Sequence, residues 1–159
     1  VYVADGGDCA AQVADGAMYN AGQSCCSVER IYVHDAFYDE FVGKFVEEVH
    51  KFKVGDPMDE DTYIGPLCLP SAADALKQQV DAALAQGATR LTEERQVPAN
   101  YFCPTVLADV TPGMDVQRSV PVPSSPSLAS LATVRLCAQS TTLPLDSRPR
   151  FSPRTRSAL

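Results

Sequence analysis

Residues Asn20-Ala21-Gly22-Gln23-Ser24-Cys25-Cys26 run straight into Ser27-Val28-Glu29-Arg30-Ile31-Tyr32-Val33. Upstream, Ala10, Val13, Ala14, Ala17 and Met18 recur at three- and four-residue steps, which predicts a helix face over Cys9–Ala21. Downstream, Arg30–Val33 is β-branched and aromatic and reads as a strand. Gly22 between them permits the left-handed backbone that ends a helix and turns the chain sharply. Most free cysteines are buried as small hydrophobes. A cysteine set just after a Gly-Gln turn, between helix and strand, instead sits where the backbone can hold a thiolate at the mouth of a cleft. That is a catalytic address.

The same alternation continues outward. Val1-Tyr2-Val3 reads as the end of a strand, and Asp5-Gly6-Gly7-Asp8 as a turn. Phe37, Phe41, Val42, Phe45, Val49 and Phe52 form a broad apolar stripe over a helix from Ala36 to Lys53, with the Asp35 carboxylate as its expected cap. Such a stripe is core, so no chemistry is assigned to it. Gly55 is expected as a left-handed cap and Pro57 as a stop. Residues 56–70 form a loop whose acids at 56, 59, 60 and 61 lack the order and central glycine of a calcium loop, which makes it a solvated turn. Ser71 and Asp74 suggest a capping box for a helix running to Gly87, and 88–92 and 102–107 read as strands. Helix alternating with strand indicates an α/β layer with parallel strands.

The words along this chain resemble the NAD(P)-dependent aldehyde dehydrogenases. Gly22-Gln23-Ser24-Cys25 matches the family's Gly-Gln-any-Cys nucleophile signature. Arg30-Ile31-Tyr32-Val33-His34, Tyr38-Asp39-Glu40-Phe41, Val54-Gly55-Asp56-Pro57, Ile64-Gly65-Pro66-Leu67, Gln86-Gly87-Ala88 and Tyr101-Phe102-Cys103-Pro104-Thr105-Val106-Leu107 follow in the family's order and spacing. The resemblance covers residues 1–118 and implies part of a catalytic domain, since the family's subunit is about three times longer than this chain, which is itself about the size of one domain. It implies that Cys25 is the nucleophile and that Ser24 and Cys26 flank the substrate pocket. The implied chemistry is attack of the thiolate on an aldehyde, hydride transfer from the thiohemiacetal to NAD or NADP, and hydrolysis of the resulting thioester to the acid.

Much of the family's machinery is expected outside this stretch. The resemblance puts the second oxyanion donor, the water-activating glutamate and the dinucleotide-binding turn before Val1. The glutamate that holds the nicotinamide ribose falls at Val120, and the ring-packing phenylalanine at Val122. No residue of this chain is therefore nominated as a cofactor ligand, and the backbone N–H of Cys25 is the one oxyanion donor plainly supplied. His34 at a strand end and His50 on the polar side of a helix are not assigned a Cys-His role.

Composition changes at residue 119, where the family's Glu-Glu-any-Phe-Gly-Pro would stand and the chain reads Ser119-Val120-Pro121-Val122-Pro123-Ser124. From there prolines and serines dominate, with no amphipathic period. Apart from the run Leu128–Leu136, residues 119–159 are expected to be an irregular, disordered tail. The formal net charge is −7; residues 118–159 carry six arginines against one acid, Asp146, which leaves seven basic and nineteen acidic residues, or −12, in the body. So abrupt a switch suggests a shifted reading frame or an alternative terminal exon, which comparison of transcript with genome settles. The acidic balance argues against nucleic acid as a partner, and neither a spanning segment nor a signal-peptide pattern is present. Six cysteines without a Cys-x-x-Cys pair point to reduced thiols rather than disulfides or zinc, in a cytoplasmic or mitochondrial setting. The expected partners are a small aldehyde and further copies or a full-length family subunit. The readings are a dehydrogenase by descent, inactive on its own, and alternatively a non-catalytic decoy subunit docking through exposed sheet edges; acylation with coenzyme A as acceptor ranks third.

Overall fold

A computed structural model describes residues 1–4, 8–114 and 116, and the backbone of 133–139. Its elements are β1 (Tyr2–Val3), α1 (Ala10–Met18), β2 (Arg30–His34), α2 (Tyr38–His50), α3 (Pro70–Ala85), β3 (Thr89–Arg90), β4 (Thr105–Ala108) and β5 (Thr133–Gln139). The sheet order is β1-β2-β5-β4-β3. β1, β2, β5 and β4 run parallel, with Tyr2 opposite Tyr32, Arg30 opposite Arg135 and Thr105 opposite Thr133. Among the described strands only β3 is antiparallel, pairing Thr89 with Ala108. The expected α/β layer is present, and parallel strands need both faces covered. In β2 the alternation is strict: Ile31 and Val33 are wholly buried while Arg30 and Tyr32 are half-buried. All four residues of β4 are buried.

Residues 133–139 form a strand: 133–136 belong to the run set apart from the irregular tail, and 137–139 extend it. They fill the slot between β2 and β4, where two strands present unpaired N–H and C=O groups. Thr133-Val134-Arg135-Leu136-Cys137 has the β-branched and apolar character to take that place. The remainder of the tail expectation, over 119–132 and 140–159, lies outside the described residues, as does the Asp5–Gly7 part of the first turn.

Three local expectations are corrected. A 3-10 turn, Asp35–Phe37, precedes α2, and it is the His34 imidazole Nδ1, not the Asp35 carboxylate, that accepts the Ala36 N–H at 3.1 Å. The next helix begins at Pro70 without a side-chain cap, since proline has no N–H to leave unsatisfied at the first position. Gly55 is not left-handed. A Cβ there would lie 2.8 Å from Thr62 Oγ1, and its N–H donates to Ile64 C=O at 3.1 Å, so glycine lets the two sides of the acidic loop close.

The principal core joins α1, α2 and β2. Ala14, Ala17 and Met18 of α1 pack with Phe41, Phe45 and Val49 of α2 and with Ile31 and Val33. The acidic loop is held by salt bridges from Lys53 to Asp59 at 2.7 Å and to Asp61 at 4.0 Å. Tyr63 stacks on Phe52 and donates its hydroxyl to the Asp15 carboxylate, which ties the loop to α1. Desolvation, with that carboxylate as a second cause, pushes the Tyr63 phenol well above its ordinary range. No helix among the described residues is long and apolar enough to cross a membrane.

Candidate active site

The backbone after α1 is contorted to place Cys25. Asn20 and Ala21 adopt φ of 52° and 54°, and Gly22 follows at 72°. Three consecutive left-handed residues are costly for L-amino acids, by about 1–2 kcal/mol per non-glycine residue, and asparagine tolerates the region better than alanine. The surroundings must hold this conformation. Gln23 N–H donates to Asn20 C=O at 3.0 Å, and Asn20 Nδ2 donates back to Gln23 C=O at 3.2 Å.

The Gln23 side chain then reaches across the fold. Its Nε2 donates to Asn20 C=O at 3.2 Å and to Pro66 C=O at 3.4 Å, and its Oε1 accepts the Cys68 N–H at 2.8 Å. A residue two before Cys25 thus pins the turn to the Ile64–Cys68 segment, more than forty positions away in sequence. The brace borders a cavity of about 270 Å³ lined by Asn20, Ala21, Gln23, Thr62, Tyr63 and Pro66, among others.

Ser24 to Ser27 form the next turn, closed by Ser27 N–H to Ser24 C=O at 3.1 Å. Half-buried Ser24 lends its Oγ to this turn: it accepts the Cys26 N–H at 3.3 Å and the Tyr19 hydroxyl. Cys25 and Cys26 are both exposed, with Sγ atoms 3.7 Å apart. The Cys26 thiol is pushed above the ordinary range, first by its hydrogen bond with Cys25 and then by the Cys25 charge. Of the other thiols, Cys9 is half-buried, Cys68 exposed, and Cys103 buried with its S–H directed to Arg95 C=O at 3.6 Å.

The arrangement therefore brings Ser24, Cys25 and Cys26 together on one braced turn. His34 is held elsewhere by Ala36, and His50 lies exposed at the end of α2. Sequence reasoning found the turn but missed the reach of Gln23, because no local spacing marks a contact over 43–45 residues. Replacing Gln23 by Ala removes these side-chain bonds and leaves their partners, exposed at Asn20 and Cys68 and half-buried at Pro66, to water. The expected cost is about 0.5–1.5 kcal/mol for each bond lost. A lowered urea midpoint and slower, less selective alkylation of Cys25 measure it, and an unchanged rate and midpoint contradict the brace.

Residues 2–120 match the aldehyde dehydrogenase family model. The chain is 44% identical over 97 residues to a succinate-semialdehyde dehydrogenase [NADP(+)] of Mycobacterium avium (strain 104), covering 60% of this chain and 21% of that one. Among solved structures it resembles aldehyde dehydrogenase 21 of Physcomitrella patens, in complex with the reaction product succinate, with TM-score 0.75 and 33% identity over 87% of this chain and 28% of that one. It also resembles an NAD-dependent benzaldehyde dehydrogenase of Corynebacterium glutamicum, with TM-score 0.70 and 31% identity over 86% and 28% of the two chains. The chain spans about a fifth of the length of the curated relatives it matches.

Proposed function

Because the chain belongs to the aldehyde dehydrogenase family, we propose that residues 1–118 are a segment of an aldehyde-oxidising catalytic domain in which Cys25 is the nucleophile. Residues 119–159 form a tail of separate composition in this reading. The observation that carries it is an exposed thiol on a strained turn that Gln23 braces against a second segment. Strain held by surrounding contacts is a common property of functional sites.

The step these residues support is addition. The Cys25 thiolate forms a bond to the aldehyde carbon, the C=O π pair moves to oxygen, and that oxygen takes a proton from water to give a thiohemiacetal. The Cys25 N–H is the donor this chain offers to the developing charge. Ser24 holds the turn through its Oγ, and Cys26 borders the position where the aldehyde substituent would lie.

NAD or NADP, the family's hydride acceptor, supplies the oxidation in the complete enzyme. The residues described here do not fit it. A concave surface of about 670 Å³ between α3 and the 94–103 segment sets Lys77 against Asp81 and Glu94, and Arg90 against Glu94. A pyrophosphate there would have to displace those carboxylates. The proposed role of this 159-residue chain by itself is thus capture of an aldehyde without its oxidation. The relatives' names run from an aliphatic semialdehyde to an aromatic aldehyde, so the substrate reading stops at the aldehyde class.

Competition tests the reading. A millimolar aldehyde is expected to slow iodoacetamide alkylation of Cys25 reversibly while leaving Cys68 unchanged. Equal slowing at both thiols, or none at Cys25, contradicts it.

A further inference from the structure

We propose that Cys25 and Cys26 together form a two-thiol chelating site for trivalent arsenicals that carry one organic group. The proposal does not rest on the dehydrogenase reading, since chelation needs only the placement of the two sulfurs.

Both thiols are exposed on one side of the Ser24–Ser27 turn, and their Sγ atoms lie 3.7 Å apart. Two metal–sulfur bonds of about 2.3 Å opening at about the tetrahedral angle place their sulfurs about 3.8 Å apart. A single soft atom can therefore bridge the pair with little rearrangement, and soft thiolates select soft centres. A direct disulfide suits the pair less well. Adjacent Cα atoms are about 3.8 Å apart across a trans peptide, which is shorter than the roughly 4.4–6.8 Å that disulfides usually span.

The number of donors chooses among soft centres. Structural zinc takes four protein ligands, and no group of three or more His, Cys, Asp or Glu suited to a metal occurs among the described residues. A pyramidal arsenic already bonded to one organic group needs two sulfurs and no more. The turn supplies them from a fixed frame, since the Ser24 Oγ accepts the Cys26 N–H and the Ser24 C=O accepts the Ser27 N–H.

The reaction balances without a change of oxidation state. An organoarsenic oxide reacts with two thiols; two As–S bonds form, the As–O bonds break, and both thiol protons leave with the oxygen as one water. Arsenic remains trivalent and no co-reactant is needed.

Phenylarsine oxide titrated into the full chain tests the site. One arsenical is expected to bind per chain and to protect both Cys25 and Cys26 from iodoacetamide in peptide maps. The adduct should survive excess 2-mercaptoethanol and leave with 2,3-dimercaptopropanol. Cys26→Ser, and reciprocally Cys25→Ser, should lower the monothiol concentration needed for release by about a hundredfold or more, because the second bond is then lost. Circular dichroism confirms that each variant is folded, and Cys68→Ser should change nothing. The wild-type chain unfolded in urea should release the arsenical more readily than the folded chain. A wild-type adduct as labile as that of Cys26→Ser, dependence on Cys68, or equal stability in folded and unfolded chains would each overturn the proposal.

Discussion

The 159-residue chain, mixed with millimolar aldehyde and either nicotinamide cofactor, is expected to produce no measurable NADH or NADPH and to give no binding heat with NAD. The reason is the number of parts the reaction requires. Loss of a single oxyanion donor commonly costs about a hundred- to a thousand-fold in rate. Here the resemblance also assigns water activation and the dinucleotide turn to sequence outside the chain, and it finds valines at 120 and 122 where the ribose-binding glutamate and the ring-packing phenylalanine belong. Losing the site of the hydride acceptor removes the pathway rather than slowing it. Absorbance of the reduced nicotinamide and titration calorimetry make the measurement. Steady cofactor reduction that disappears in Cys25→Ala would mean that the required parts have been misjudged.

Phe45→Ala is expected to destabilise the fold by about 3–5 kcal/mol. Phe45 is wholly buried, lies 5.7 Å from the ring of Phe41 in a stacked pair, and belongs to the cluster that joins α1 to α2 and β2. Its removal leaves a cavity beneath the helix that leads into the nucleophile turn. Against a usual domain stability of about 5–15 kcal/mol, such a loss unfolds a large fraction of molecules under mild denaturant. Met58, 88% exposed, is the control: Met58→Ala should stay within about 0.5 kcal/mol. Urea midpoints followed by circular dichroism compare the two, and a Phe45→Ala midpoint as close to wild type as that of Met58→Ala would contradict the assignment of the core.

The sequence made α1, α2, β2 and the nucleophile turn legible because each is encoded locally. Helical spacing in Ala10–Met18, the phenylalanine stripe of α2 and the β-branched run at Ile31–Val33 need no knowledge of distant partners. The less legible features depend on tertiary placement. β3 shrank to Thr89–Arg90, the residues in ladder register with Ala108 and Leu107, and the antiparallel direction of that pair has no local signature. β5 has the composition of a strand, but its place in the middle of the sheet depends on a gap between β2 and β4 that no window of sequence reveals. Caps were misjudged where the nearest acidic side chain competed with a neighbour, as His34 did with Asp35, or where proline set the start, as Pro70 did. In the site, Gly22 marked the turn, whereas the clamp by Gln23 on Pro66 and Cys68 and the 3.7 Å approach of the two sulfurs required the folded chain.

Limiting iodoacetamide followed by peptide mapping tests the claim that the fold presents Cys25 as its nucleophile. The account predicts that Cys25 is alkylated first, ahead of its neighbour Cys26, whose thiol is held above the ordinary range, and ahead of exposed Cys68, half-buried Cys9 and buried Cys103. Uniform labelling of the thiols, or labelling of Cys68 or Cys103 before Cys25, would contradict it.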